Sequence, residues 1–232
     1  MALKEPGLRG SLRNVSVGIG AIPDFVESQY QFEDETDTTT AIDAVSGNNL
    51  SLSDVTFDST SKCGNFALSI STDSEGVSES SVDLSALGDD NGLAVGGFFR
   101  PNNADQTIDM WSWGNPDGSA NFVCVGIEEN GNWRAISFLN SDFQDAVTNV
   151  SADTGSYAAV WARLNTDGEL SCVVDGVVEA TTNTGHDPTD FGSQNYHIHR
   201  VDDRSYDGLV DNGTYISKHP TVDELADLES LC

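Results

Sequence analysis

The run that most constrains this chain is LSCVVDGVVEA, residues 170–180, where Asp175-Gly176 separates two valine pairs. Asp-Gly tolerates the positive φ that a two-residue hairpin turn requires, so the run predicts two antiparallel strands meeting at that dipeptide. Similar strand signals recur every ten or so residues from Phe25 onward: ESQYQFED, FALSIST, SVDLSAL, LAVGGFFRP, TIDMWSWG, FVCVGIE and NWRAISFL. Turn-rich pieces such as NPDGSAN and EENGN separate several of them. In YAAVWARL, Tyr157, Ala159, Trp161 and Arg163 share one face, while Ala158, Val160, Ala162 and Leu164 share the other, which is the predicted core face. NYHIHRV and DGLVDNGTYIS read as two further strands. Thr221, with Glu224 three residues on, reads as a capping box opening a short helix whose inward residues are Leu225 and Leu228. No helices alternate with the strands, which excludes a parallel α/β fold. The expected class is all-β: two antiparallel sheets packed face to face as a sandwich, with a short C-terminal helix.

At 232 residues the chain suits one such domain and buries a core without needing staples. It carries 38 Asp+Glu against 10 Lys+Arg, a net charge of -28, and its lysines are Lys4, Lys62 and Lys218. Such a surface repels nucleic acid phosphates and anionic lipid head groups, so neither is an expected partner. Hydrated carboxylates stay soluble where salt screens their repulsion, with a Debye length of about 3 Å at 1 M, and this points to a salt-loving host over an ordinary acidic protein. Cys63, Cys124, Cys172 and Cys232 form no C-x-x-C pair. Cys124 and Cys172 lie in apolar runs and read as buried thiols in preference to a disulfide, which leaves the redox compartment open. No stretch of 18 apolar residues is present, so no membrane insertion is expected. Residues 1–24 contain Lys4, Arg9 and Arg13 against Glu5 and Asp24 (3 − 2 = +1) and no apolar signal-peptide core. They read as an extended arm or attachment segment, or as a disordered terminus, ahead of a sandwich over 25–232.

DGLVDNGTYISKHPTVDELADL, residues 207–228, resembles the closing signature of LamG-like, concanavalin A-like lectin/glucanase domains. YQFED resembles the opening strand of that family, AIDAVSGNNLSL its Asp-x-x-Gly-Asn loop, and KCGNFALSI with SVDLSAL the pair around its first hairpin. AVGGFFRPN is similar to its central strand, and TGSYAAVWARLNTDGELSCVVDGVVEATT to its most recognisable hairpin. The resemblance covers residues 25–232 and implies a jelly-roll. It departs at Gly213, where a hydrophobic residue is usual, at Asn212, where a second acid is common, and in the Ser-rich run FALSISTDSEGVSESSVDL. GAIPDF, in the arm, resembles an entry motif of virion or tail proteins of haloarchaeal viruses.

A retaining glucanase on such a fold needs two carboxylates about 5–5.5 Å apart, and no Glu-x-Asp-x-Glu run occurs on a predicted strand, so no hydrolase is expected. Trp111 and Trp113 in MWSWGN share a strand face, and sugar rings stack on such aromatic faces. Asn115 and Asp117 would supply polar contacts, and Trp133-Arg134 would flank them; the alternative is that these tryptophans fill the core. The resemblance implies a structural Ca²⁺ held by Asp34, Asp43, Asn48 and Asp211, against the alternative of solvated loop carboxylates. His197 and His199 point the same way from one strand but lack a third metal ligand, and read as a surface or edge pair; His186 and His219 stand isolated.

These features together lead to the expectation of a virion surface protein of a halophilic archaeal virus: a capsid decoration, turret or tail-fibre component, assembled in the host cytoplasm. Its lectin-like domain would engage host surface glycans or a glycoprotein, its arm would dock on other virion proteins, and repetition as a homo-oligomer would supply avidity. The alternative is a cellular haloarchaeal adhesion module or glycan-active protein of the same fold.

Overall fold

In a computed structural model, the described residues are 22–33, 39–71, 74–86, 92–105, 107–115, 121–198 and 206–232. In chain order their strands are β1 (Val26–Tyr30), β2 (Thr40–Ala41), β3 (Leu50–Ser53), β4 (Thr56–Asp58), β5 (Ala67–Ile70), β6 (Glu75–Ser78), β7 (Val82–Asp83), β8 (Gly92–Pro101) and β9 (Ile108–Trp113). There follow β10 (Phe122–Ile127), β11 (Asn132–Leu139), β12 (Asp142–Ser151), β13 (Ala158–Asn165), β14 (Glu169–Val174), β15 (Val177–Asn183), β16 (Ser193–Gln194), β17 (Tyr196–Ile198), β18 (Gly208–Ile216) and the helix α1 (Val222–Ser230).

Two eight-stranded antiparallel sheets make the sandwich. The first runs β15-β14-β13-β8-β18-β5-β4, with β1 also on β18; the second runs β12-β11-β10-β9-β17-β6-β3-β2. This is the expected all-β jelly-roll. Asp175 and Gly176 both take positive φ (48° and 75°), and Val174 pairs with Val177 across them, as the Asp-Gly pattern requires.

Val160, Ala162 and Leu164 join the core between the sheets, as expected of their face of β13. The opposite face is buried as well, because α1 lies over it: Trp161 packs with Leu225, Leu228, Val26 and Ile216. Trp161 Nε1 donates to Glu229 Oε1 at 3.0 Å, and Arg163 Nη1 donates to the Pro220 carbonyl at 2.8 Å. The Thr221–Glu224 capping box forms in both directions. Cys124 and Cys172 are buried thiols outside any disulfide, whereas Cys63 and Cys232 form a disulfide across 169 residues of sequence. No sequence pattern marks that pairing, because its partners meet only once the sandwich brings the 61–65 loop to the end of α1.

Candidate functional site

The tryptophan platform expected from the sequence lies in the core. Trp111 and Trp113 do share a face of β9, but it is the inward one, at 0% exposure each, and Trp133 is 1% exposed. Trp111 stacks on Tyr215 with ring centroids 5.3 Å apart, and Trp113 meets Tyr196 edge-on at 4.9 Å. Trp113 Nε1 donates to the Ala94 carbonyl of the opposite sheet at 3.1 Å. No sugar reaches these rings. Period-2 logic placed them on one face but could not say which, and a large aromatic on a central strand belongs inside. Asn115 is half-buried at the end of β9, and Asp117 falls outside the described residues.

Arg134 is the expected site residue that faces away from the core. On β11 it alternates with inward Trp133 and Ala135, so it shares the outer face of the second sheet with Ile136 and Phe138. The register sets Arg134 opposite Gly126 on β10, and Gly126 opposite Asp109 on β9. With no side chain between them, the guanidinium crosses β10 and its Nη2 donates to Asp109 Oδ1 at 2.8 Å. A Cβ on Gly126 would lie 3.3 Å from Arg134 Nε. Nη1 also faces Asp145 Oδ2 on β12 at 3.7 Å. Beside this group the Phe143 ring, 42% exposed, lies 5.9 Å from the guanidinium carbon, and Val147 is 36% exposed. A half-exposed ring, an anchored cation and a partly exposed carboxylate therefore converge on the outer face of β11 and β12. Phe143 went unnoticed in the sequence because DFQDAVTNVS reads as a mostly polar strand; an aromatic alternating with acids on an edge strand was the available signal.

Of the residues implied for Ca²⁺, Asp43 and Asn48 are already engaged by protein partners. Asp43 accepts from the backbone N–H of Gln29, Val45, Ser46 and Asn48 at 2.9–3.1 Å, from the Ser28 hydroxyl at 2.9 Å and from the Ser46 hydroxyl. Six donors occupy its two oxygens, so a metal would have to displace them. The Asn48 side chain pairs in both directions with the Ser80 backbone. Asp211 sits elsewhere in the hydrogen-bond network: its Oδ2 accepts from Lys62 and Cys63 N–H at 2.8 and 2.7 Å, its Oδ1 has no partner, and burial pushes its pKa up to about 6. Asp34 lies outside the described residues. Among those residues no group of three or more His, Cys, Asp or Glu is placed to hold a metal.

His186 is not isolated. Its Nδ1 meets Ser137 Oγ at 2.8 Å and its Nε2 meets Asp142 Oδ2 at 3.2 Å. The residue types are those of a hydrolytic triad, but Ser137 is fully buried and shares the inward face of β11 with Trp133. A substrate carbonyl has no approach to that hydroxyl, and the contact ties the 184–187 loop to the β11–β12 hairpin. His197, expected at a surface or edge, is 7% exposed, and burial pushes its pKa down to about 4; His199 falls outside the described residues.

No family model matches the sequence, and no curated protein matches it significantly. Solved structures do match in fold. Domain 4 of a GH43 extracellular arabinanase from Geobacillus stearothermophilus, in complex with arabinotriose, aligns with a TM-score of 0.68 at 14% identity, over 88% of this chain and 97% of that one. The botulinum neurotoxin serotype D ligand-binding domain, in complex with N-acetylneuraminic acid, aligns at 0.61 and 12% identity, over 89% of this chain and 51% of that one. Trypanosoma rangeli sialidase with the inhibitor DANA aligns at 0.62 and 10%, over 92% and 35%. The chain thus spans nearly all of the arabinanase domain, about half of the toxin domain and a third of the sialidase; what it is similar to is a β-sandwich domain.

Proposed function

We propose that the chain is a non-hydrolytic carbohydrate-binding sandwich domain whose contact surface is the outer face of the second sheet around Phe143. One observation carries this reading: an aromatic ring stands 42% exposed on that face, beside a guanidinium fixed by two carboxylates. An exposed ring offers a flat apolar surface to the C–H face of a sugar, and flanking polar groups fix its orientation. Structures of similar fold include an arabinanase domain with arabinotriose and a toxin domain with N-acetylneuraminic acid, which supports the same class of ligand. The one Ser–His–Asp set among the described residues presents its serine to the core, which speaks against ester or amide hydrolysis there.

The finer reading is a virion surface protein of a halophilic archaeal virus, docked through residues 1–24 and binding host glycans. The net charge of -28 and the GAIPDF motif support it. A glycan array probed in molar KCl tests the binding reading: the wild type retains sugars and Phe143→Ala does not. Equal retention by both would refute the site.

A further inference from the structure

We propose that the ligand of this face is an uncharged sugar presenting adjacent hydroxyl groups, and that sugars bearing a carboxylate are excluded. The inference rests on the carbohydrate-binding reading and names its ligand class.

The cation at the face is already engaged. Arg134, with its side chain 5% exposed, donates to the fully buried Asp109 and faces Asp145. Its Nε has no partner but lies buried above Gly126, where no ligand reaches it. A site for an acidic sugar needs the opposite arrangement, a guanidinium or ammonium with free donors directed outward.

What the face turns outward is an acceptor beside apolar surface. The Asp145 side chain is 31% exposed and sits between Phe143 and Val147 along β12. A carboxylate accepts two O–H donors at once, which suits neighbouring sugar hydroxyls, while Phe143 takes the C–H face of the ring. An incoming carboxylate would lose water and meet Asp145 in return, within the field of a chain of charge -28. That long-range part weakens with salt, whereas the local mismatch at Asp145 persists.

Matched probe pairs test this: lactose against 3′-sialyllactose, and galactobiose against digalacturonate, titrated calorimetrically into the full chain. At about 0.15 M KCl each neutral member should bind at least about tenfold more tightly than its acidic partner. The ratio should fall at about 3 M KCl without inverting, and Phe143→Ala should abolish neutral binding. Acidic members preferred by the wild type, with that preference lost in Phe143→Ala, would overturn the inference and leave carbohydrate binding at this face intact. Neutral binding unchanged in Phe143→Ala would overturn the assignment of the face. Failure of every probe, and of a broad glycan array, would overturn the carbohydrate-binding reading itself.

Discussion

Gly213 stands where the resembling domains carry a hydrophobic residue, and Trp111 is the reason. A Cβ at Gly213 would lie 2.2 Å from Trp111 Cζ2, so the indole occupies the volume that a side chain at this position would need. Gly213→Val is expected to cost about 2–3 kcal/mol by overpacking, read as a fall in the urea midpoint; an unchanged midpoint would place the indole elsewhere. Asp211 makes a second residue-level test. Burial raises its carboxyl from 3.8 to about 6, so the folded chain holds that proton more tightly than the unfolded one does. Its contribution to stability is therefore fully present below about pH 4 and is lost as pH rises through about 6, some 3 kcal/mol in all. Asp211→Asn does not titrate, so the wild type should lose about that much relative to the variant between about pH 4 and pH 7.5. Parallel stability profiles would contradict the burial of a carboxyl there.

Among the elements, those whose signals are local were legible in the sequence. The Asp175-Gly176 hairpin and the Thr221–Glu224 cap follow from rules spanning a few residues, and both form as expected. Trp111, Phe143 and Asp43 depend on what crosses from another strand or sheet, which periodicity does not carry. The Asp43 loop shows the consequence: a carboxylate saturated by protein donors holds residues 43–48 where the resemblance implied a metal. Excess EDTA should leave the thermal midpoint unchanged, while Asp43→Ala should lower it by several degrees, because the buried Gln29 N–H and three part-buried loop N–H groups lose their acceptor. A chelator-sensitive midpoint would restore calcium. The C-terminal helix offers a further test. The Cys63–Cys232 bond closes a span of 169 residues, worth up to about 5 kcal/mol in chain entropy. A thiol reductant should lower the denaturation midpoint in the wild type and leave Cys63→Ser, Cys232→Ser unaffected.

At the scale of the whole molecule, two packed layers bury the tryptophans, and the proposed recognition falls to the outer surface of one sheet. The charge of -28 makes this body self-repelling at low ionic strength, so stability should rise as KCl is added. The proposed binding of a neutral sugar through Phe143 and Asp145 should vary far less over the same range. The most direct measurement is an amide chemical-shift map recorded while a neutral oligosaccharide is titrated in molar KCl. The expected perturbations gather on Arg134, Phe143, Asp145 and Val147. Shifts centred on another surface, or none at saturating sugar, would contradict the placement of a carbohydrate site on this face.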